Sequence, residues 1–334
     1  MRPLYLLIAL MVAACGTAPT VASTPTPRST QTTSTPTIAV TPTCSLPIWL
    51  YDWSASGNRG TGYSLQGSSL TRSQPSATSG DTVATYVASV QRWLPVPATL
   101  LAPDGRRYAY NDASGNPEVD RVHVVDLATG ADRVIAQADA KTGYEALAFE
   151  GDGLYAGRPA QGPATAAGLW RLDPQAGTAT LVDGTRRWQW ISRGYAYTII
   201  PNPTDPVVVQ GGPVADTMLR LDLGTRQIEQ WLHHRGAGLV VRGFDWAGHP
   251  VLSLGSTLAD LAVVTGKDEL QPLAGGSREV TFSYVYRSLV ADPEGFWLGA
   301  DQGVVRYTAK GSFQLVWTNP TVKTVLPLVA GPCA

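Results

Sequence analysis

The chain is short of nearly everything that a catalytic or nucleic-acid-binding reading would use. It has four histidines, three cysteines and three methionines in 334 residues. Charged side chains make up 15% and nearly cancel, at net charge −1, so no basic stripe points to nucleic acid. No G-x-S-x-G elbow, H-E-x-x-H, C-x-x-C or Walker loop occurs, and a His-based metal centre would need most of the four histidines to converge. No apolar run reaches the roughly 20 residues that span a bilayer, and no stretch keeps helical periodicity beyond about three turns. What is plentiful is turn-formers, Gly 34 and Pro 25, set between short alternating apolar runs. That is the composition of an all-β chain.

The cysteines divide into one and two. Arg2, an apolar stretch from Leu4 to Val12 and the small residues Ala13-Ala14 lead into Cys15, the order of a secretory signal. Val12-Ala13-Ala14-Cys15 resembles the lipobox of bacterial lipoproteins. The resemblance implies that residues 1–14 are a signal peptide and that Cys15 becomes an acylated lipid anchor. The protein would then be exported and held at the bacterial cell membrane surface, since a second acyl chain makes attachment lasting. Residues 15–43 are almost entirely Thr, Pro, Ser, Ala and Val, too polar to offset the entropy of ordering. They are expected to form a disordered tether, at most ~85 Å long at ~3.1 Å per residue. Cys44 and Cys333 bracket the remaining domain, 44–334. In an oxidising compartment these two thiols are expected to pair, stapling the ends of the domain together.

A repeat runs through that domain. ATLLAPDGRRYAY, EALAFEGDGLYAG, VRGFDWAGHPVLSL and RSLVADPEGFWLGA line up around Gly105, Gly153, Gly248 and Gly295, with a weaker WQWISRGYAYTII around Gly194. Each is an alternating run, a tight Gly turn and another alternating run, which is how a β-hairpin reads. A second series follows in phase, aligned on Asp126, Asp173, Asp222, Thr265 and Thr308, at spacings of 47, 49, 43 and 43. Two hairpins per repeat make a four-stranded antiparallel sheet, and sheets at this period are β-propeller blades. Cys44–Pro97 reads as a less regular first blade, with LPIWLYDW, GYSLQG and ATYVASVQRWLPV as strands. The tail from Thr321 to Cys333 reads as one more strand, pairing into that first blade and closing the ring. Six blades are expected, with five or seven as alternatives.

The PDGxxYAY turn followed by VxVVDLATG resembles blades of TolB/WD40-like bacterial β-propellers. Asp292–Thr308, DPEGFWLGADQGVVRYT, is similar to the repeat of sensor propellers of two-component regulators and to that of streptogramin-lyase propellers. These motifs imply a fold and leave function open, because propellers host binding, scaffolding and several chemistries. The lyase propellers use paired histidines with a glutamate near the axis, and no matching motif stands here.

The residues offer little chemistry. His233 and His234 are adjacent, so on a strand they point to opposite faces. His123 lies mid-strand and His249 in a turn, where a structural role is expected. Asn111-Asp112-Ala113-Ser114-Gly115-Asn116, extended to Glu118 and Asp120, is oxygen-rich but lacks calcium-loop spacing. Such residues also make up any long hairpin turn, so no metal and no cofactor is expected. Trp170, Trp231, Trp297 and Trp317 fall at apolar strand positions and should pack between blades. Trp53, Trp188, Trp190 and Trp246 sit near hairpin ends, where loops form the mouths of a propeller, and are the candidate binding aromatics. The sequence therefore points to a binding module for a protein, peptide or glycan. A hydrolase or lyase whose site assembles from several blades is the alternative.

Overall fold

The computed structural model describes residues 43–52, 54, 59–73, 83–112, 121–137, 144–158, 168–255, 260–273, 289–300, 302–308, 311–321 and 324–334. The leader, Cys15, the tether, Trp53 and residues 113–120 of the oxygen-rich loop lie outside them.

Among the described residues the chain folds as six antiparallel blades. Third to sixth blades are continuous four-stranded meanders, for example Trp190–Ser192, Tyr195–Pro201, Ala215–Asp222 and Ile228–His233 in the fourth. In the second blade three strands, Arg107–Asp112, Arg121–Asp126 and Asp132–Gln137, are joined by a single inner bridge from Leu101 to Tyr108. The alternation seen in the sequence puts one set of side chains on each face, and both faces are covered because blades stack radially. Buried clusters accordingly lie between blades. Leu147, Trp188, Ile191 and Leu221 fill the space between the third and fourth, and Met218, Leu239, Leu252 and Val264 that between the fourth and fifth. A bulge or irregularity breaks the register between the third and fourth strands of the second to sixth blades, which increases their twist.

The first blade is assembled from both ends of the domain. Ser45–Asp52, Arg59–Gln66 and Ser69–Arg72 supply three strands, and Val325–Val329 supplies the fourth. That tail strand runs antiparallel to Ser45–Asp52, with Val325 opposite Asp52 and Val329 opposite Ile48. Cys44 and Cys333 are disulfide-bonded beside it, with Cα atoms 5.5 Å apart, a normal span for the bond. Leu46, Ile48, Trp297, Val304, Val316 and Val329 bury the joint between the sixth blade and this one.

The segment 83–96 departs from the expected first blade. It forms its own small hairpin, Thr85–Val87 with Arg92–Leu94, because the tail already occupies the free edge of Ser45–Asp52. The hairpin is a wedge between the first and second blades. Trp93 packs on the indole of Trp49, with centroids 5.6 Å apart, and on Gly62, where a Cβ would stand 2.5 Å from the Trp93 ring. Val87, Leu94 and Val96 face the second blade.

Candidate functional site

Antiparallel order separates two kinds of loop. Turns joining first to second and third to fourth strands gather at one end of the ring. Loops from second to third strands, and the connections between blades, gather at the other. The first end is built of tight turns with a repeated chemistry. Asp126 Oδ1 accepts from the Ala128 and Thr129 N–H groups at 3.0 and 2.8 Å. Asp173 Oδ1 accepts from Gln175 and Ala176 at 2.7 and 2.8 Å, and Asp222 Oδ1 from Gly224 and Thr225 at 2.8 Å each. These N–H donors hold all three carboxyls below the usual carboxylate value, the bonds from Thr129, Ala176 and Thr225 being foremost. An aspartate bonding its own backbone two and three residues on makes the turn itself, which is why the period was readable. Cys44 and Cys333 sit at this same end, next to the turn after Gln66 that faces Ser45.

The axis is different. The innermost strands of the ring and the wedge hairpin surround a cavity of about 180 Å³, partly open to solvent. Each blade contributes apolar wall: Val329, Ala98, Leu147, Trp190, Phe244 and Val290 come from blades one to six in turn. Thr85, Thr99, Gln189 and Arg242 are the polar side chains among the lining residues. Thr85 Oγ1 is committed to the Val96 carbonyl at 2.7 Å.

Arg242 owes its place to an irregularity. In the innermost strand of the fifth blade, Val241 pairs with Leu252 and Gly243 with Val251, so Arg242 is the extra residue of a β-bulge. Such bulges re-aim side chains beside functional sites. Its Nε donates to Ser253 Oγ at 3.0 Å, and Ser253 is fully buried. Gly243 next to it allows close approach, since a Cβ there would stand 2.8 Å from the Leu289 Cβ. Arg242 is thereby placed among the lining residues of a mainly apolar cavity.

The candidate aromatics are not gathered into one patch. Trp188 is 1% exposed and donates to Asp183 Oδ2 at 2.7 Å. Its neighbour Trp190 lines the axial cavity. Trp246 is 54% exposed, but in a first-to-second-strand turn at the tight-turn end, where its carbonyl accepts from Arg193 Nη2 at 2.8 Å. Trp53 lies outside the described residues. Trp297 and Trp317 are buried between the sixth and first blades, and Trp170 and Trp231, partly buried, pack against the clusters between the second and third and between the fourth and fifth blades.

The histidines stand in three different blades. His123 Nδ1 is 2.9 Å from Asp132 Oδ1, and the Tyr110 hydroxyl donates to Asp132 Oδ2 at 2.6 Å. Burial first, and that bond second, push the Tyr110 phenol up to about 12. In the fourth blade Thr217 Oγ1 is 3.0 Å from His233 Nδ1 beside the fully buried Asp216. Asp216 joins two loops by accepting from the Asn202 and Gly236 N–H groups at 3.1 and 2.9 Å. His249 pairs with Asp245 at 3.0 Å within one turn. Among the described residues no group of three His, Cys, Asp or Glu stands close enough to hold a metal. At the start of the oxygen-rich loop, Asn111 clasps the next blade, with Oδ1 accepting from the Ala146 N–H at 2.9 Å and Nδ2 donating to the Tyr144 carbonyl.

No family model and no curated protein matches the sequence. Among solved structures the chain is similar to TolB from Acinetobacter baumannii, at 13% identity and a TM-score of 0.51 over 86% of this chain and 67% of that one. The β-propeller domain of the Trilobed protease from Pyrococcus furiosus aligns at 14% identity and a TM-score of 0.47, over 81% of this chain and 83% of that one. An acylaminoacyl peptidase aligns at 10% identity and a TM-score of 0.47, over 77% of this chain but only 41% of that one. At these identities the likeness is one of fold: a TolB-like β-propeller.

Proposed function

We propose that the protein is a membrane-tethered, extracytoplasmic binding module that takes part of a protein or peptide partner into the axial cavity of its ring. The observation that carries this reading is the cavity itself. It is concave, walled by all six blades and mainly apolar, with a few polar groups to orient what enters, which is the usual make-up of a binding site. A glycan suits it less well, because each sugar hydroxyl taken out of water needs a partner and the wall supplies few. Tethering rests on the Val12–Cys15 lipobox and the Thr/Pro-rich stretch after it.

Photo-crosslinking in producing cells tests the site. A benzophenone side chain at Gln189, in the cavity wall, should give discrete adducts with a partner chain. The same group at Ile228, 37% exposed on an outermost strand, should give none. Adducts from Ile228 alone would move the binding surface to the blade edges and refute the axial reading. Cys15→Ser tests the anchor: the exported chain should leave the membrane fraction.

A further inference from the structure

The size and wall of the cavity limit what part of a partner can enter. Its volume, about 180 Å³, is a little above that of an engineered apolar cavity of roughly 150 Å³ that holds one benzene molecule. The wall sets the small residues Ala84, Ala98 and Ala330 among the bulky Leu147, Trp190 and Phe244. Two of its four polar side chains are engaged within the protein, Thr85 with the Val96 carbonyl and Arg242 with the Ser253 hydroxyl. Ala98 and Thr99 are the exposed residues of the lining, so they mark its opening.

We infer that the cavity holds a single uncharged apolar side chain of the partner, branched aliphatic or one-ringed and no larger than that of phenylalanine. The inference rests on the axial cavity being the binding site. Volume sets the upper limit: a space that matches one benzene ring has no room for a second. Polarity sets the chemistry. A charged or amide side chain taken out of water needs partners for every polar atom, and a mainly apolar wall favours a group that has none. The opening then decides between a side chain and a detached molecule. A sealed cavity takes only a free solute, whereas here the group can enter while the backbone that carries it stays in water beside Ala98 and Thr99. Phenylalanine fits best, because ring contacts with Trp190 and Phe244 add to the gain from burial.

The test uses blocked amino acids, each an N-acetyl amide so that only the side chain differs, titrated against the full chain by ligand-observed NMR. Phenylalanine should bind at least about tenfold more tightly than alanine, the worth of burying one such side chain, with leucine between them. Glutamine, glutamate and the two-ringed 4-phenylphenylalanine should bind no better than alanine. Two variants narrow the cavity: Ala98→Trp at the exposed opening and Val290→Phe in the half-buried wall of the sixth blade. Each should abolish the preference for phenylalanine while keeping a cooperative unfolding transition in urea, and one folded variant suffices. Glutamine or glutamate binding as tightly as phenylalanine overturns the apolar assignment, and 4-phenylphenylalanine doing so overturns the size limit; either result leaves the cavity as a binding site. A preference that survives in a folded variant puts the side chain elsewhere and overturns the inference. Binding of none of the probes overturns the axial reading and this inference with it.

Discussion

The first and fourth blades have the same four strands in the same antiparallel order, yet they are held in different ways. Every strand of the fourth blade is joined to the next by its own loop, and Asp222 fixes one of those turns with its own side chain. The first blade has no connecting loop between its innermost strand, Val325–Val329, and its second, Ser45–Asp52. What joins them is the strand ladder, a disulfide across 289 residues and the indole of Trp297 buried against both ends. A propeller can thus reach one sheet geometry through local turns or through long-range closure, and the second route concentrates its stability in few contacts.

The largest expected effect breaks the comparison outright. Ending the chain before Val325 removes an inner strand from the first blade and opens the ring, so cooperative unfolding measured by calorimetry should be lost. Deleting one outer strand of an interior blade, such as Ala179–Asp183, should leave a weakened but cooperative transition. If both truncations behave alike, closure is no more critical than any edge.

Next in size is the staple. Cys44→Ser with Cys333→Ser should lower stability by about 2–5 kcal/mol, the range for native disulfides, seen as a lower midpoint in urea. Reduction of the native chain should reproduce the shift.

A pair of equivalent glycines sharpens the contrast further. Gly157 and Gly299 are each the penultimate residue of a second strand, in the third and sixth blades. A Cβ at Gly157 would stand 3.1 Å from the Trp188 carbonyl, while one at Gly299 would stand 1.7 Å from the carbonyl of Pro327 in the tail strand. Overpacking of this kind costs roughly 1–3 kcal/mol, so Gly299→Ala should fall at the top of that range or above it and Gly157→Ala at the bottom, measured by urea unfolding.

The smallest effect lies in the interior blades alone. Asp126, Asp173 and Asp222 have lowered folded values, so the stability they add is complete above the ordinary carboxylate value near 3.8 and is lost as pH falls through the lowered ones. The triple Asp→Asn variant should show a flatter fall of unfolding temperature between about pH 5 and pH 2 than the native chain. An unchanged slope would mean that these turns do not couple to folding.

What was legible in the sequence was whatever repeats. Asp126, Asp173 and Asp222 recur because each makes a turn with its own side chain, and short apolar runs recur between the turns because blades cover each other's faces. The pairing of Cys44 with Cys333 was legible from their places at the two ends of the domain. The wedge hairpin was read as part of the first blade because its strands alternate like any others, and nothing in 83–96 states that another strand has already taken its edge. Arg242 escaped notice for a related reason. In VRGF it looks like a surface charge on a strand, and only the one-residue bulge against Leu252 and Val251 turns it into the axis. Trp190 was singled out and Trp188 with it, though two residues so close in sequence part company, one into the cavity wall and the other into the joint between blades.

The closure also sets a clock on folding. The tail strand lies just before Cys333, which is made 289 residues after Cys44, roughly 15–60 s later at 5–20 residues per second. Contacts this distant in sequence form late. Throughout that interval Ser45–Asp52 presents an unpaired edge carrying Trp49 and Tyr51, which the finished ring buries. A second copy's tail fits that edge as well as the chain's own, because strand exchange between identical chains reproduces every native contact. Crowded refolding should therefore yield dimers linked through swapped tails, with the disulfide now running from Cys44 of one copy to the other's Cys333 and fixing the exchange once it has occurred.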